Sequence, residues 1–369
     1  MMTSPFSIPA HNRRIDPSRQ RAAALKADGS VDDNDRTEIG PTPLAFAEWA
    51  ALGLQPPHLP TMREYRLQRI REQLVARDLG GILLFDPLNI RYATDTTNMQ
   101  LWTTHNPARA CFVAASGHVV LWDFHGCDHL SAHLPLVSEL RSGASFFYFE
   151  TGDRTDAHAR RFCAQVDELL RTHAGNNRRL AVDRIEVAGL RALDALGVQV
   201  HSGQEVTEFA RLIKGPDEIL AMRCAVASCE ASVAEMRQAM RAGATENDVW
   251  AALHSGNIRR GGEWIETRIL SSGPRTNPWF QESGRGCSAM ATCCRSTLTL
   301  SVCMAFAWTC RAAGSAVACH PRPSRSACTA SPTSISTSMP GWSSLGCASQ
   351  NSPATVTACR KAAASNATA

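Results

Sequence analysis

A layered α/β (α+β) domain, the opening of a second domain, and then a tail read in the wrong frame are what this sequence of 369 residues predicts. Three observations carry that expectation. Between residues 61 and 210 short apolar strands alternate with amphipathic helices, the pattern of a sheet covered by helices. From Pro216 two further helices and a strand follow, spaced as the start of another domain. Beyond Gly284 the composition changes abruptly: all 34 acidic residues precede it, and residues 285–369 hold none. Folded proteins are about a quarter charged, so an acid-free run of that length has odds on the order of 10⁻⁵. The expected organisation is an arm over 1–60, a first domain over 61–210, an incomplete second domain over 211–284 and a tail over 285–369.

The arm is polar and interrupted by Pro, with an acidic cluster at Asp32–Asp35; Phe46, Trp49 and Leu52 would let one short helix dock on a partner surface. Met62–Arg77 predicts a helix with Leu67, Ile70, Leu74 and Val75 along one face and Gly80 as its C-terminal cap. Gly81–Phe85 reads as a buried strand, and Cys111–Ala114 with His118–Trp122 as a hairpin turning at Ser116–Gly117. A helix over Asp156–His173, a strand over Leu180–Val182 and a helix over Glu186–Leu196 complete the first domain. Pro216, Asp217 and Glu218 suit the first turn of a long helix, where Pro needs no N–H partner and acids meet the positive end of the helix dipole. Ile219, Met222, Val226, Cys229, Val233, Met236 and Met240 should be its buried stripe. Thr245 and Asp248 have the spacing of a capping box, opening a helix that Gly261–Gly262 stops, and Thr267–Leu270 should be a strand.

The net charge of +4 comes from the tail, which holds seven Lys and Arg and no acids; the first 284 residues keep 31 basic and 34 acidic residues, a net charge of −3. Neither a nucleic-acid nor a membrane partner follows from that balance. Five scattered Cys precede the break, with no paired metal spacing, as expected of a reducing cytoplasm. No apolar run reaches the roughly 18 residues of a membrane span, and no secretory signal is evident.

The tail itself argues for a slipped frame. Ala, Ser, Thr and Cys make up 52 of its 85 residues. Joining the last base of each codon to the first two of the next forces Asp at the Trp308–Thr309 junction and Gly at Met304–Ala305, whatever the codons used. The same shift makes Ser296–Thr299 compatible with Phe-Asp-Thr-Asp, which would put carboxylates at positions 297, 299 and 309. Hard and borderline divalent cations need such carboxylates. As written, the tail has no Cys-x-x-Cys pair and little aliphatic periodicity, so disorder is expected there.

The segment Leu212-Ile-Lys-Gly-Pro-Asp-Glu-Ile219, the two helices and strand after it, and Ser271-Ser-Gly-Pro-Arg-Thr-Asn-Pro-Trp279 resemble the opening of a pita-bread metalloenzyme domain. That superfamily includes creatinase, the proline-specific aminopeptidases and dipeptidases, and methionine aminopeptidase; the preceding α/β domain is similar to the creatinase N-terminal domain. Asp33-Asn-Asp-Arg-Thr-Glu-Ile-Gly-Pro41, Phe85-Asp-Pro-Leu-Asn-Ile-Arg-Tyr-Ala-Thr-Asp95, Asn98-Met-Gln-Leu-Trp102, Thr104-His-Asn-Pro107 and Gly261-Gly-Glu-Trp-Ile-Glu-Thr-Arg268 resemble its dimethylsulfoniopropionate lyase branch. The shifted string is also similar to that branch's Phe-Asp-Thr-Asp…Tyr-Gly-X-Cys-Val-Asp. The resemblance implies a divalent metal pair, iron first among candidates, a homodimer, and a β-elimination giving acrylate and dimethyl sulfide. Alternatives are a proline dipeptidase, aminopeptidase or creatinase-type hydrolase of the same superfamily, and a non-catalytic remnant that dimerises or holds a ligand.

This chain carries Thr297, Thr299 and Thr309 where the resemblance implies aspartates, so no metal ligand and no catalytic base is assigned, and the chain as written is expected to be inactive. Substrate-pocket candidates are five. Trp279 stands near the place where the peptidases have a histidine, and its ring face suits a sulfonium cation or simple packing. Arg275 has the fork to hold a carboxylate. Tyr92, Asn98 and Trp102 would line a cleft or pack between domains, and His105 and His125 have no partners at ligand spacing.

Overall fold

A computed structural model describes residues 40–124, 127, 130–131, 134–265, 267–276 and 281–285, and the backbone of the strands 293–302, 306–315 and 336–338. The described chain forms two compact units, one holding 58–215 and the other combining 41–57 with 216 onward. The span read as an arm therefore divides, and its helix belongs to the second unit.

In the first unit a six-stranded sheet has the order β4-β3-β2-β1-β5-β6. Its strands are β1 (Gly81–Leu84), β2 (Ala110–Ala114), β3 (Val119–Asp123), β4 (Glu139–Ser142), β5 (Arg179–Val182) and β6 (Gln199–Ser202). β1 runs parallel to β5 and antiparallel to β2, and the hairpin of β2 and β3 turns at Gly117, whose φ of +104° only glycine adopts freely. Every residue of β1 is buried, because both faces are covered. Leu83 and Phe85 join Phe112, Trp122, Phe162 and Leu193 on one face, where α6 (Thr155–Ala174) and α7 (Val187–Ala195) pack. Ile82 and Leu84 join Ile70, Leu74, Val113, Leu121 and Val206 on the other, under α2 (Leu59–Ala76), α3 (Pro87–Thr94) and α8 (Gly203–Leu212). That alternation is the period-two pleat of a strand.

Gly80 does not cap α2. The helix ends at Ala76, and Asp78, with φ of +52°, takes the left-handed position instead. Gly80 answers to α6: a Cβ there would lie 2.8 Å from Ala174 Cβ and 2.9 Å from Leu170 Cδ1. The short helices α4 (Gln100–His105) and α5 (Tyr148–Thr151) complete this unit.

The second unit is built on α9 (Pro216–Ala239) and α10 (Glu246–Arg259), which pack on each other. Thr245 and Asp248 form the expected capping box, with hydrogen bonds of 2.8 and 3.1 Å. The buried face of α9 is not the expected Met stripe throughout. Ala221, Cys224, Ala225, Ser228, Ser232 and Val233 are covered, whereas Ile219 is half exposed. Small residues win that face because helices approach closely there; a Cβ on Gly256 of α10 would meet Ser232 Cα at 3.0 Å. The helix α1 (Pro43–Ala51) lies on α9, with Trp49 buried and its Nε1 donating to Ser228 Oγ at 3.0 Å. Arg260 donates to both Glu48 oxygens at 2.7 Å and to Glu235 at 2.8 Å, a second clamp on the same helix. The expected docking helix thus covers its own chain, burying Trp49 while Phe46 and Leu52 stay exposed.

The second sheet pairs β7 (Trp264–Ile265), β8 (Ile269–Ser272), β9 (Cys293–Val302), β10 (Phe306–Ser315) and β11 (Ser336–Ser338), all antiparallel. Three segments of the stretch expected to lack order are therefore strands; the rest of 286–369 lies outside the described residues.

Candidate functional site

The loop after β8 is held from beneath by one buried carboxylate. Glu246, first residue of α10, accepts from Ser272 N and Ser272 Oγ at 2.8 Å each and from Gly284 N at 2.9 Å, and pairs with Arg275 Nη1. Arg275 also donates from Nε to Gln281 Oε1 at 3.1 Å and from Nη2 to the Glu282 carbonyl at 2.7 Å. Its fork thus grips its own loop. Ser283 and Gly284 are tied down further: Ser283 N donates to the Arg268 carbonyl, and Asn247 N to the Gly284 carbonyl. This network extends to Gly284, where the acidic residues end. Trp279 lies outside the described residues.

Asn98 and Trp102 both meet the carboxyl end of β3. Asn98 Nδ2 donates to Asp123 Oδ1 at 3.2 Å, while Asp123 is clasped by Arg109 through bonds of 3.0 and 2.9 Å. Both partners of that ion pair are fully buried, the bidentate geometry that offsets the desolvation of two charges. The Trp102 ring packs against Phe124 and Phe147, with centroids 5.6 and 6.2 Å away. Tyr92 is buried in the other layer; its hydroxyl donates to the Ala210 carbonyl at 3.2 Å and its ring lies under Arg66. The structure thus brings Asn98 and Trp102 together, places Tyr92 in the core of the same unit, and puts Arg275 in the other unit. His105 ends α4, and His125 lies outside the described residues.

Among the carboxylates that escaped the sequence reading, two tie separate chain segments together. One is Glu246, which by sequence looks like an ordinary acid in the first turn after a capping Thr. The other is Asp183, at the carboxyl end of β5. It accepts from Phe85 N, Asp86 N, Arg184 N and Asn89 Nδ2, all within 3.0 Å, joining the ends of β1 and β5 to the start of α3. Burial lifts its carboxyl above the ordinary Asp range despite those donors. Cys111 and Cys163 are buried thiols pushed up to about 12, so they are packing residues rather than nucleophiles.

The hairpin of β9 and β10 sets the positions of the expected aspartates. Position 299 is the direct cross-strand partner of 309, and 297 is the partner of 311. Directly opposed residues share a face, as do residues two apart, so 297, 299 and 309 occupy one face of the ladder. That arrangement would bring three carboxylates together. Thr297, Thr299 and Thr309 supply neutral hydroxyls instead, which do not balance the charge of two dications. Among the described residues no three His, Cys, Asp or Glu side chains gather to hold a metal ion. Thr at positions 297, 299 and 309 does not fit the carboxylate positions of a metal pair.

No protein-family model matches the chain. Over 280 residues it is 57% identical to the dimethylsulfoniopropionate lyase DddP of Roseovarius nubinhibens, covering 74% of this chain and 62% of that protein. The DddP lyase of Roseobacter denitrificans is 56% identical over 277 residues, covering 74% and 61%. The chain spans about three-fifths of the length of these curated relatives. Among solved structures, an Xaa-Pro dipeptidase from Bacillus anthracis aligns with a TM-score of 0.51 at 17% identity, over 70% of this chain and 65% of that one. The prolidase from Pyrococcus horikoshii gives 0.52 at 11% identity, over 70% and 66%. A prolidase from Thermococcus sibiricus gives 0.53 at 13%, over 70% and 66%. At such identities these structures show the shared fold, α/β with pita-bread relatives.

Proposed function

We propose that this chain, 57% identical to a DddP dimethylsulfoniopropionate lyase over 74% of its length, is such a lyase interrupted within its catalytic domain, and that it is inactive as written. The observation that carries this reading is the cross-strand pairing of 299 with 309, with hydroxyls at both positions and at 297. An intact relative would split dimethylsulfoniopropionate into acrylate and dimethyl sulfide, the α proton passing to a base as the C–S bond breaks. The divalent metal pair, with iron the first candidate, belongs to that intact form and would stabilise charge on the substrate carboxylate. In this chain no step is routed through it.

Within this reading Arg275 is a staple of the loop, and Asn98 and Trp102 shape the end of β3. Trp279 is the position we assign to the sulfonium group, whose charge suits an aromatic face. The intact form would act as a homodimer in the cytoplasm. The thiols of Cys111, Cys163 and Cys224 suit a reducing compartment. Among the described residues no helix is long and apolar enough to cross a membrane.

The test compares the purified chain with a version whose frame is restored after Gly284, each supplied with iron, zinc, manganese or cobalt. Acrylate and dimethyl sulfide are expected from the restored version alone. Metal-dependent acrylate release by the chain as written would overturn the proposal. A proline dipeptide supplied to the restored version separates lyase from peptidase: its hydrolysis without acrylate would reassign the branch.

A further inference from the structure

On the first unit, far in sequence from the loop described above, two histidines from different elements stack face to face. His118 leads into β3, and His173 lies in the last turn of α6. Their ring centroids are 4.0 Å apart and the planes differ by 13°. Glu139, opening β4, brings Oε2 to 4.0 Å from His118 Nε2, and is itself gripped by Arg141 at 2.6 and 3.1 Å. From α2, Arg71 reaches the same turn and donates to the Ala115 and Ser116 carbonyls. Four elements therefore meet around this pair, contributing Glu139, Arg141 and Arg71 as its charged neighbours.

Neutral imidazoles stack comfortably at this distance. Two imidazolium rings do not, because like charges about 4 Å apart repel strongly where water is partly excluded. One proton is accommodated by Glu139 and by the carbonyl end of α6, whose dipole favours a cation; a second is opposed. We propose that His118 and His173 form a proton-sensitive clasp that holds the turn between β2 and β3 on the end of α6 at neutral pH and loosens it on acidification. His173 already titrates below the ordinary histidine range, first through burial and then through His118, while Glu139 acts in the opposite sense.

Two readouts on the full-length chain test this. Histidine C2-hydrogen exchange followed by mass spectrometry gives the midpoint of His173. Replacing His118→Gln is expected to raise that midpoint, and Glu139→Gln to lower it. Independently, amide exchange in the unmodified chain, corrected for intrinsic pH dependence, is expected to accelerate several-fold at pH 5 relative to pH 7.5 in peptides covering 114–119 and 172–177. A His173 midpoint indifferent to His118→Gln, or equal protection of those peptides at both pH values, would overturn the clasp. The second measurement needs no substitution, so it decides the matter even where a variant fails to fold.

Discussion

Asp183 shows how a single side chain can be both a keystone and a cost. Its carboxylate collects three backbone N–H groups and the Asn89 amide, which the strand ends need, yet burial raises its pKa. A carboxyl raised in the folded state binds its proton more tightly folded than unfolded. Its contribution to stability is then complete below the unfolded value of about 3.9, and is lost as pH rises through the folded value. Comparing the chain with Asp183→Asn by urea unfolding from pH 3.5 to 7 should show the native protein losing stability relative to the variant as pH rises. A difference that is flat with pH would place the carboxyl at its ordinary value. Nothing in the sequence around Asp183 marks it, because its four donors come from residues 85–89 and 184, brought together only when β1 and β5 pair.

At the scale of elements, the helices and strands with strong local signals were legible. The capping residues of α10, the Pro216 start of α9, the hairpin at Gly117 and the amphipathic α6 all follow from side chains a few positions apart. What escaped was short or held from outside. β6 reads Gln-Val-His-Ser, with one apolar residue, and exists because β5 offers it a parallel edge. α3 did carry a signal, Asp86 followed by Pro87, an N-cap and a first-turn Pro; the cap bonds form at 2.8 and 3.3 Å. The docking of α1 was only half legible: its apolar residues were visible, but its surface lies on a helix beginning at Pro216. That contact makes a quantitative claim. Trp49→Ala should destabilise the second unit by about 3–5 kcal/mol, since it empties a buried site and leaves Ser228 without its indole donor. Chemical denaturation followed by amide exchange in 216–260 would show it, while the sheet of the first unit should keep its protection. The candidate pocket residues were partly legible for a related reason. Aromatic, amide and charged types at 92, 98, 102 and 275 stood out, but whether each faces a ligand or its own chain depends on partners such as Glu246 and Asp123.

For the whole molecule, the two units differ in how they are strung on the chain. The first is continuous from 58 to 215 and has a hydrophobic cluster on each face of its sheet. Expressed alone, residues 58–215 should unfold cooperatively, with a single denaturant transition by circular dichroism and tryptophan fluorescence; a gradual, non-cooperative loss would show that it depends on the rest. The second unit is discontinuous, because α1 precedes everything it packs against. Only a three-dimensional view reveals this, since the sequence places α1 beside α2 and gives no sign that it belongs elsewhere.

That arrangement acquires a meaning during synthesis. A ribosome makes α1 well before α9, because residues 52–215 come between the helix and its docking surface. At about 5–20 residues per second, the interval is roughly 10–30 s. During it the first unit can complete its own sheet while Trp49 waits uncovered, a sticky apolar helix tethered to a finished domain. Every product that stops short of α9 would carry that helix permanently bare, and would present it to whatever quality-control factors recognise exposed apolar surface.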